Sequence, residues 1–304
     1  MRSVIFDVNY APHFSGHETF PLRQMWLKKA FDAVSCEQRG AFSSEDAIVT
    51  FGVGKNMVGS IRHWALACGI IESKNGGHVV TDLGKILFAD DGLDPYCEHY
   101  ATSWLMHWKL AGLTTSTPRA TTWYWVFNHV SEQSFSTTQL EEGLIEYINE
   151  KTPKIKVSGN SMARDVEVFL RSYVPKSRNA TMEDIAEPML GELGLIQVST
   201  GGHYEFRRGP KSTLPDDVFL YALAEFWECV APNQNTLSFE SIAYDPGSPG
   251  RTFKLDEDSI AERLINLEVS THGRYVWSDT AGQRNVLCVK GAISPIDALL
   301  GSKA

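Results

Sequence analysis

A histidine, a carboxylate, two hydroxyls and an arginine crowd into the stretch Ser15-Gly16-His17-Glu18-Thr19-Phe20-Pro21-Leu22-Arg23, beside apolar anchors at Phe14, Phe20 and Trp26. Cutting a phosphodiester requires an activated nucleophile, stabilisation of charge on the phosphate oxygens and a proton for the leaving oxygen. His17 can supply a base or a metal ligand, and Glu18 can orient it or hold a divalent ion such as magnesium or manganese. Arg23 can grip a nonbridging phosphate oxygen. A structural role is the stronger reading of the residues alone: Glu18 as a helix cap, His17 bonded to a buried carbonyl, Arg23 paired with a carboxylate. Thr19 and Pro21 read as the cap and first residue of a helix over residues 21–34, with Leu22, Met25, Trp26, Ala30 and Val34 on its apolar stripe. The polar group is therefore expected at a helix N-terminus.

A second kind of chemistry follows downstream. Residues 41–51 read as a helix capped at Ser43 or Ser44 and stopped by Gly52-Val53-Gly54. From Lys55 the next helix places Met57, Val58, Ile61, Trp64, Ala65 and Cys68 on one face, leaving Asn56, Gly59, Ser60, Arg62 and His63 on the other. In helix-turn-helix proteins the second helix enters the major groove, where arginine and asparagine read base edges and lysine meets phosphate. Lys55, Asn56, Arg62 and His63 are thus candidates to contact duplex DNA, with Gly59 and Ser60 small enough for close approach. The same face could equally be a solvated surface or a protein contact. Gly52 to Asn56 does not make a nucleotide-binding loop, because the glycine-to-lysine spacing is wrong and no Ser or Thr follows the lysine.

The elements that carry these residues recur. A hairpin is expected over residues 70–81, completing a winged helix. At an offset of 105 residues, Met162, Val166, Phe169, Leu170 and Tyr173 repeat the apolar stripe, and a Gly-Gly-His turn at residues 201–203 echoes Gly76-Gly77-His78. Arg207 and Arg208, just past that second hairpin, are further phosphate candidates. A weaker third copy runs from a helix over residues 237–244, through a helix capped near Asp256, to strands at residues 273–277 and 285–289. Aromatic density at Tyr100, Trp104, Trp108, Trp123 and Trp125 reads as a core between modules. The expected fold is mainly α with small β-hairpins (α+β), as repeated winged-helix-like modules joined by an aromatic-rich helical region. Its expected divisions are residues 1–92, 93–210 and 211–304.

Composition bounds the rest. The 304-residue chain, 43% apolar and 21% charged, carries a formal charge of −9, which argues against indiscriminate coating of nucleic acid but leaves a local basic face open. With no apolar run of membrane-spanning length and no signal-peptide core, a cytoplasmic protein without membrane contact is expected. Its five cysteines are odd in number and never form a Cys-x-x-Cys pair, so they are expected to be reduced.

The pattern Gly16-His17-Glu18-Thr19-Phe20-x-Leu22-Arg23-x-x-Trp26-Leu27, with Leu105-Met106-His107-Trp108 in the central region, resembles a domain-of-unknown-function family found beside genes for DNA phosphorothioate modification. That resemblance implies a DNA-binding component of a sulfur-modification and phage-defence system, one that nicks one strand of the duplex so that sulfur can be incorporated. Its implied partners are duplex DNA and the other phosphorothioation proteins: a sulfur-activating enzyme, a cysteine desulfurase and an ATPase. A homo-oligomer is compatible with it. The alternative is a noncatalytic winged-helix adaptor or regulator, favoured by the lack of a recognisable nuclease motif. A protein-binding scaffold without DNA contact, favoured by the acidic charge, is the third reading.

Overall fold

The computed structural model describes residues 3–36, 40–43, 46–151, 158–174 and 188–301. Its first part is helical with one hairpin. Helix α1 spans Trp26–Cys36, α2 Ala47–Phe51 and α3 Lys55–Ala67. Gly52, at φ +63°, ends α2 in the left-handed region that a side chain rarely adopts. Strands β1 (Ile71–Lys74) and β2 (Gly77–Val80) pair antiparallel, turning at Asn75 and Gly76, both with positive φ. That is the Asn-Gly pair a tight two-residue hairpin demands. Helix α4 (Asp82–Phe88) starts at Thr81, whose hydroxyl accepts from Gly84 N and donates to Gly69 O.

Helix α1 begins later than the 21–34 expectation. Glu18, Thr19 and Met25 all have positive φ, the Leu22 carbonyl accepts from Met189 N, and Arg23 forms an isolated bridge with Pro188. Phe20, Leu22, Arg23 and Gln24 thus bond to distant partners, and Thr19 caps no helix. The helix expected over 41–51 likewise starts at Ala47, and the Ser44 cap lies outside the described residues.

Next come α5 (Tyr100–Ala111), α6 (Thr121–His129), β3 (Ser134–Phe135), α7 (Thr137–Lys151), α8 (Gly159–Tyr173), β4 (Ile196–Val198) and β5 (Tyr204–Phe206). The last part holds α9 (Asp216–Val230), β6 (Thr236–Ser238), α10 (Phe239–Tyr244), α11 (Pro249–Thr252), α12 (Glu257–Ser270), β7 (Tyr275–Thr280), β8 (Gln283–Cys288) and α13 (Pro295–Leu300). The chain is thus a mixed α+β fold with small antiparallel sheets. Two of these sheets have three strands each, in the orders β3-β5-β4 and β6-β8-β7. The short first strand of each is invisible to a helical reading: residues 237–244 split into the end of β6 and all of α10, with Ser238 capping the helix through Ser241 N. Asp256 caps α12 as expected.

The stripe repeated at an offset of 105 residues is buried in both copies: Ile61, Trp64, Ala65 and Cys68 in the first part, Val166, Phe169, Leu170 and Tyr173 in the second. Helix α5 is buried along nearly its whole length and ties the parts together. His107 Nε2 bonds Thr252 O at 3.0 Å and Nδ1 meets Tyr173 OH at 2.8 Å, so the imidazole is neutral with its proton on Nε2. Trp108 Nε1 and Lys109 Nζ both donate to the buried Glu225 at 2.8 Å. Trp104, Trp108, Trp123 and Phe127 are core residues, whereas Tyr100 is 49% exposed and does not belong to that core. No described helix is long and apolar enough to cross a membrane. The cysteines are free, with Cys68 and Cys97 buried.

Candidate nucleic-acid interface around the His17 loop

The loop 14–20 is held by bonds that converge on one buried carboxylate. His17 Nε2 meets Asp165 Oδ1 at 2.8 Å, Ser15 N donates to the same oxygen at 2.6 Å, and Thr122 Oγ1 donates to Oδ2 at 2.6 Å. Thr19 N donates to His17 Nδ1 at 3.3 Å, so the imidazole is the Nε2–H tautomer with its other nitrogen already occupied. Ser60 Oγ of α3 donates to His17 O, and Trp64 Nε1 donates to Phe20 O. The His17 ring stacks on Trp64 and packs near Trp123. His17 is 2% exposed and Asp165 1%. A buried imidazole with both nitrogens engaged positions a loop; it is poorly placed to take a proton from an attacking water.

The loop is also strained. Ser15, Glu18 and Thr19 have φ of +61°, +50° and +73°. Such conformations cost roughly 1–3 kcal/mol each and persist only where surrounding bonds enforce them. They leave Glu18 and Thr19 exposed at the tip, with Arg171 of α8 donating to Thr19 O. Arg23 sits differently from His17 and Glu18: its guanidinium lies over the rings of Phe20 and Trp26 at 5.9 and 5.4 Å. Of the three residues nominated for catalysis, His17 is buried, Glu18 is exposed at the loop tip and Arg23 lies over two rings. Asp165, which the sequence offers only as a charge beside Arg164, is the group that organises the site. It lies three residues after Met162 and four before Phe169, on the buried side of α8, and that placement of a carboxylate is the signal that marks it.

Helix α3 presents Lys55, Asn56 and Arg62 to solvent. Its small residues serve a different purpose from the expected approach to DNA. Ser60 is fully buried by the loop, and a Cβ on Gly59 would lie 3.6 Å from Glu18 Cγ, so these positions admit the protein's own segment. His63 packs against Gly16 and Trp64; burial, then the neighbouring His17, holds its imidazole down to about 3. Arg119, which sequence reasoning did not single out, is exposed and its charge reaches His13, His63 and His78. Arg207 and Arg208 are exposed after β5, where burial first and Arg207 next bring Lys211 down to about 8.

No group of three or more His, Cys, Asp or Glu side chains converges among the described residues. The Asp165 oxygens already accept from three donors, Ser15 N, His17 Nε2 and Thr122 Oγ1.

The chain matches, over residues 14–300, the family described as "Protein of unknown function (DUF4007)". It belongs to that family. Among solved structures, the DUF4007 chain is similar to the magnesium ion-bound SspB crystal structure, with 30% identity and a TM-score of 0.86, covering 97% of this chain and 87% of that one. A second SspB crystal structure gives 29% identity and a TM-score of 0.84 over the same shares. No curated protein matches. The magnesium belongs to that SspB structure.

Proposed function

We propose that this protein binds duplex DNA and nicks one strand as a component of a DNA phosphorothioate modification system, opening the backbone so that partner proteins can incorporate sulfur. The observation that carries the reading is the similarity to SspB along nearly the whole chain. The modular build supports it. Helix, strand, two helices and a hairpin succeed one another in α6 to β5, and helix, strand, three helices and a hairpin in α9 to β8; in both the first strand pairs with the second strand of the hairpin. That arrangement supports a winged-helix reading of the last two parts, and residues 1–92, 93–210 and 211–304 are read as three related modules, the first carrying a two-stranded hairpin alone. In this reading Lys55, Asn56 and Arg62, with Arg207 and Arg208, meet the duplex, and His63 supports the first group from beneath. Glu18, exposed on the strained tip of the loop, faces the reacting phosphate, while His17 and Arg23 hold the loop in place.

Incubation of supercoiled plasmid with the purified protein, in magnesium, in manganese and in chelator, tests the proposal. Open circles are the expected product. A mobility shift without open circles would favour the second reading, a noncatalytic adaptor, which the lack of a metal-binding cluster among the described residues supports.

A further inference from the structure

We propose that the solvent face of helix α12 docks a helix of a partner protein, one that carries lysine or arginine beside apolar residues. Such docking is independent of nicking. The face is a single stripe. Asp258, Glu262, Ile265 and Val269 follow one another at steps of four, three and four residues, the spacing that lines up side chains along one side of a helix, and all four are exposed. Ile265 and Val269, one turn apart, are 55% and 81% exposed, while Ile260, Leu264 and Leu267 on the other side are buried. The helix thus has a complete core face and, opposite it, an apolar pair that no described residue covers. From Asp258 to Val269 the stripe runs about 16 Å, which matches three turns of a partner helix.

Charge selects the occupant. Helix α12 directly precedes a hairpin, as α3 does, yet the two helices carry opposite charge. The α3 sequence has Lys55 and Arg62 and no acid, whereas α12 sets Glu257, Asp258, Glu262 and Glu268 against Arg263 alone. Arg263 is withdrawn from the face: its guanidinium donates to Asp216 Oδ1 at 2.5 Å, Leu214 O at 2.9 Å and Lys211 O at 3.2 Å, and lies over the Phe219 ring. The neighbouring cations are occupied as well. Arg284 pairs with Glu240 and Glu257, Lys290 donates to His272 O, and Arg274 lines a cavity with Asp217 and Asp297. Asp258, Glu262 and Glu268 make no ion pair among the described residues, so the face keeps its negative charge. Such a face repels a phosphate backbone and attracts a basic surface. An exposed apolar pair flanked by charge of one sign has the build of a helix-docking seam, in which the apolar side chains supply buried area and the charges set register and choice of partner.

Fluorescence anisotropy of a labelled helical peptide, with lysine at the first two and leucine at the last two positions of the same spacing, tests the assignment on the whole chain. A peptide of identical composition in scrambled order is the control, and a labelled DNA duplex is titrated in parallel. Wild-type protein should bind the ordered peptide about tenfold or more tighter than the scrambled one, and the Ile265→Ser, Val269→Ser double variant should lose that preference, as should Glu262→Lys. Both variants change exposed positions, so their unfolding midpoints and duplex affinities should stay at the wild-type values. Equal binding of the two peptides by wild-type protein, or a preference that survives in both variants, overturns the proposal. Duplex affinity lost in the variants would assign α12 to DNA, and a wild-type dimer that the double variant dissociates would assign it to a second copy of this chain; either result overturns the proposal too.

Discussion

His17 Nε2 bonds Asp165 Oδ1 at 2.8 Å across 148 residues of sequence, joining the opening loop to α8. Both groups are sealed from solvent, and Asp165 also satisfies Ser15 N and Thr122 Oγ1. The bond ties the first helical part to the second and fixes the His17 ring within the loop.

Removing the carboxylate strands three donors in a closed space. Asp165→Ala should therefore cost about 3–5 kcal/mol of folding stability, the usual effect of breaking a buried hydrogen-bonded charge. His17→Ala should cost a similar amount. Denaturant unfolding measures both, and a loss below about 1 kcal/mol for either would mean that the loop does not depend on this pair.

The approach of the loop to α3 depends on a missing side chain. A Cβ on Gly16 would lie 2.3 Å from His63 Nδ1, closer than any real contact. Gly16→Ala should displace the His63 ring and destabilise the protein by about 1–3 kcal/mol, the range for overpacking a filled site. The histidine ring signals in NMR spectra report the displacement directly; unchanged spectra and stability would contradict the packing described.

Acid should weaken the fold through its neutral histidines. Burial brings His107 to about 3 and His129 to about 4, against 6.5 in the unfolded chain. The folded values are depressed, so the unfolded state binds more protons below pH 6.5, and stability falls as pH drops from 6.5 towards 3 to 4. Each group contributes a slope of about 1.4 kcal/mol per pH unit within its window. His129→Gln should reduce the slope between pH 6.5 and 4 by one proton, as read from unfolding midpoints across that range. A slope identical to wild type would show that His129 is not held neutral.

Much of this was legible from residue types and spacing. The apolar stripes of α3 and α8 follow a 3.6-residue period, and Asn75-Gly76 and Ala281-Gly282 sit at the hairpin turns, all with positive φ. The start of α1 was not legible, because Thr19 and Pro21 carry local helix-start signals that the long-range bonds of Leu22 and Arg23 with residues 188–189 override. Ser60 read as surface because a period locates a helix face without saying what covers the other one. Strand β3 is too short to show a period of two, so its pairing with β5 emerges only from the folded chain.

In the proposed function the loop presents Glu18 to DNA while His17 holds the loop. Single-turnover conversion of supercoiled plasmid to open circles, run with wild type and Glu18→Gln at matched folded concentration, tests it most directly. Nicking by wild type and a loss of about a hundredfold or more in Glu18→Gln, with an unchanged unfolding midpoint, is the predicted result. Wild-type rates from the Glu18→Gln protein, or no open circles from wild type, would contradict it.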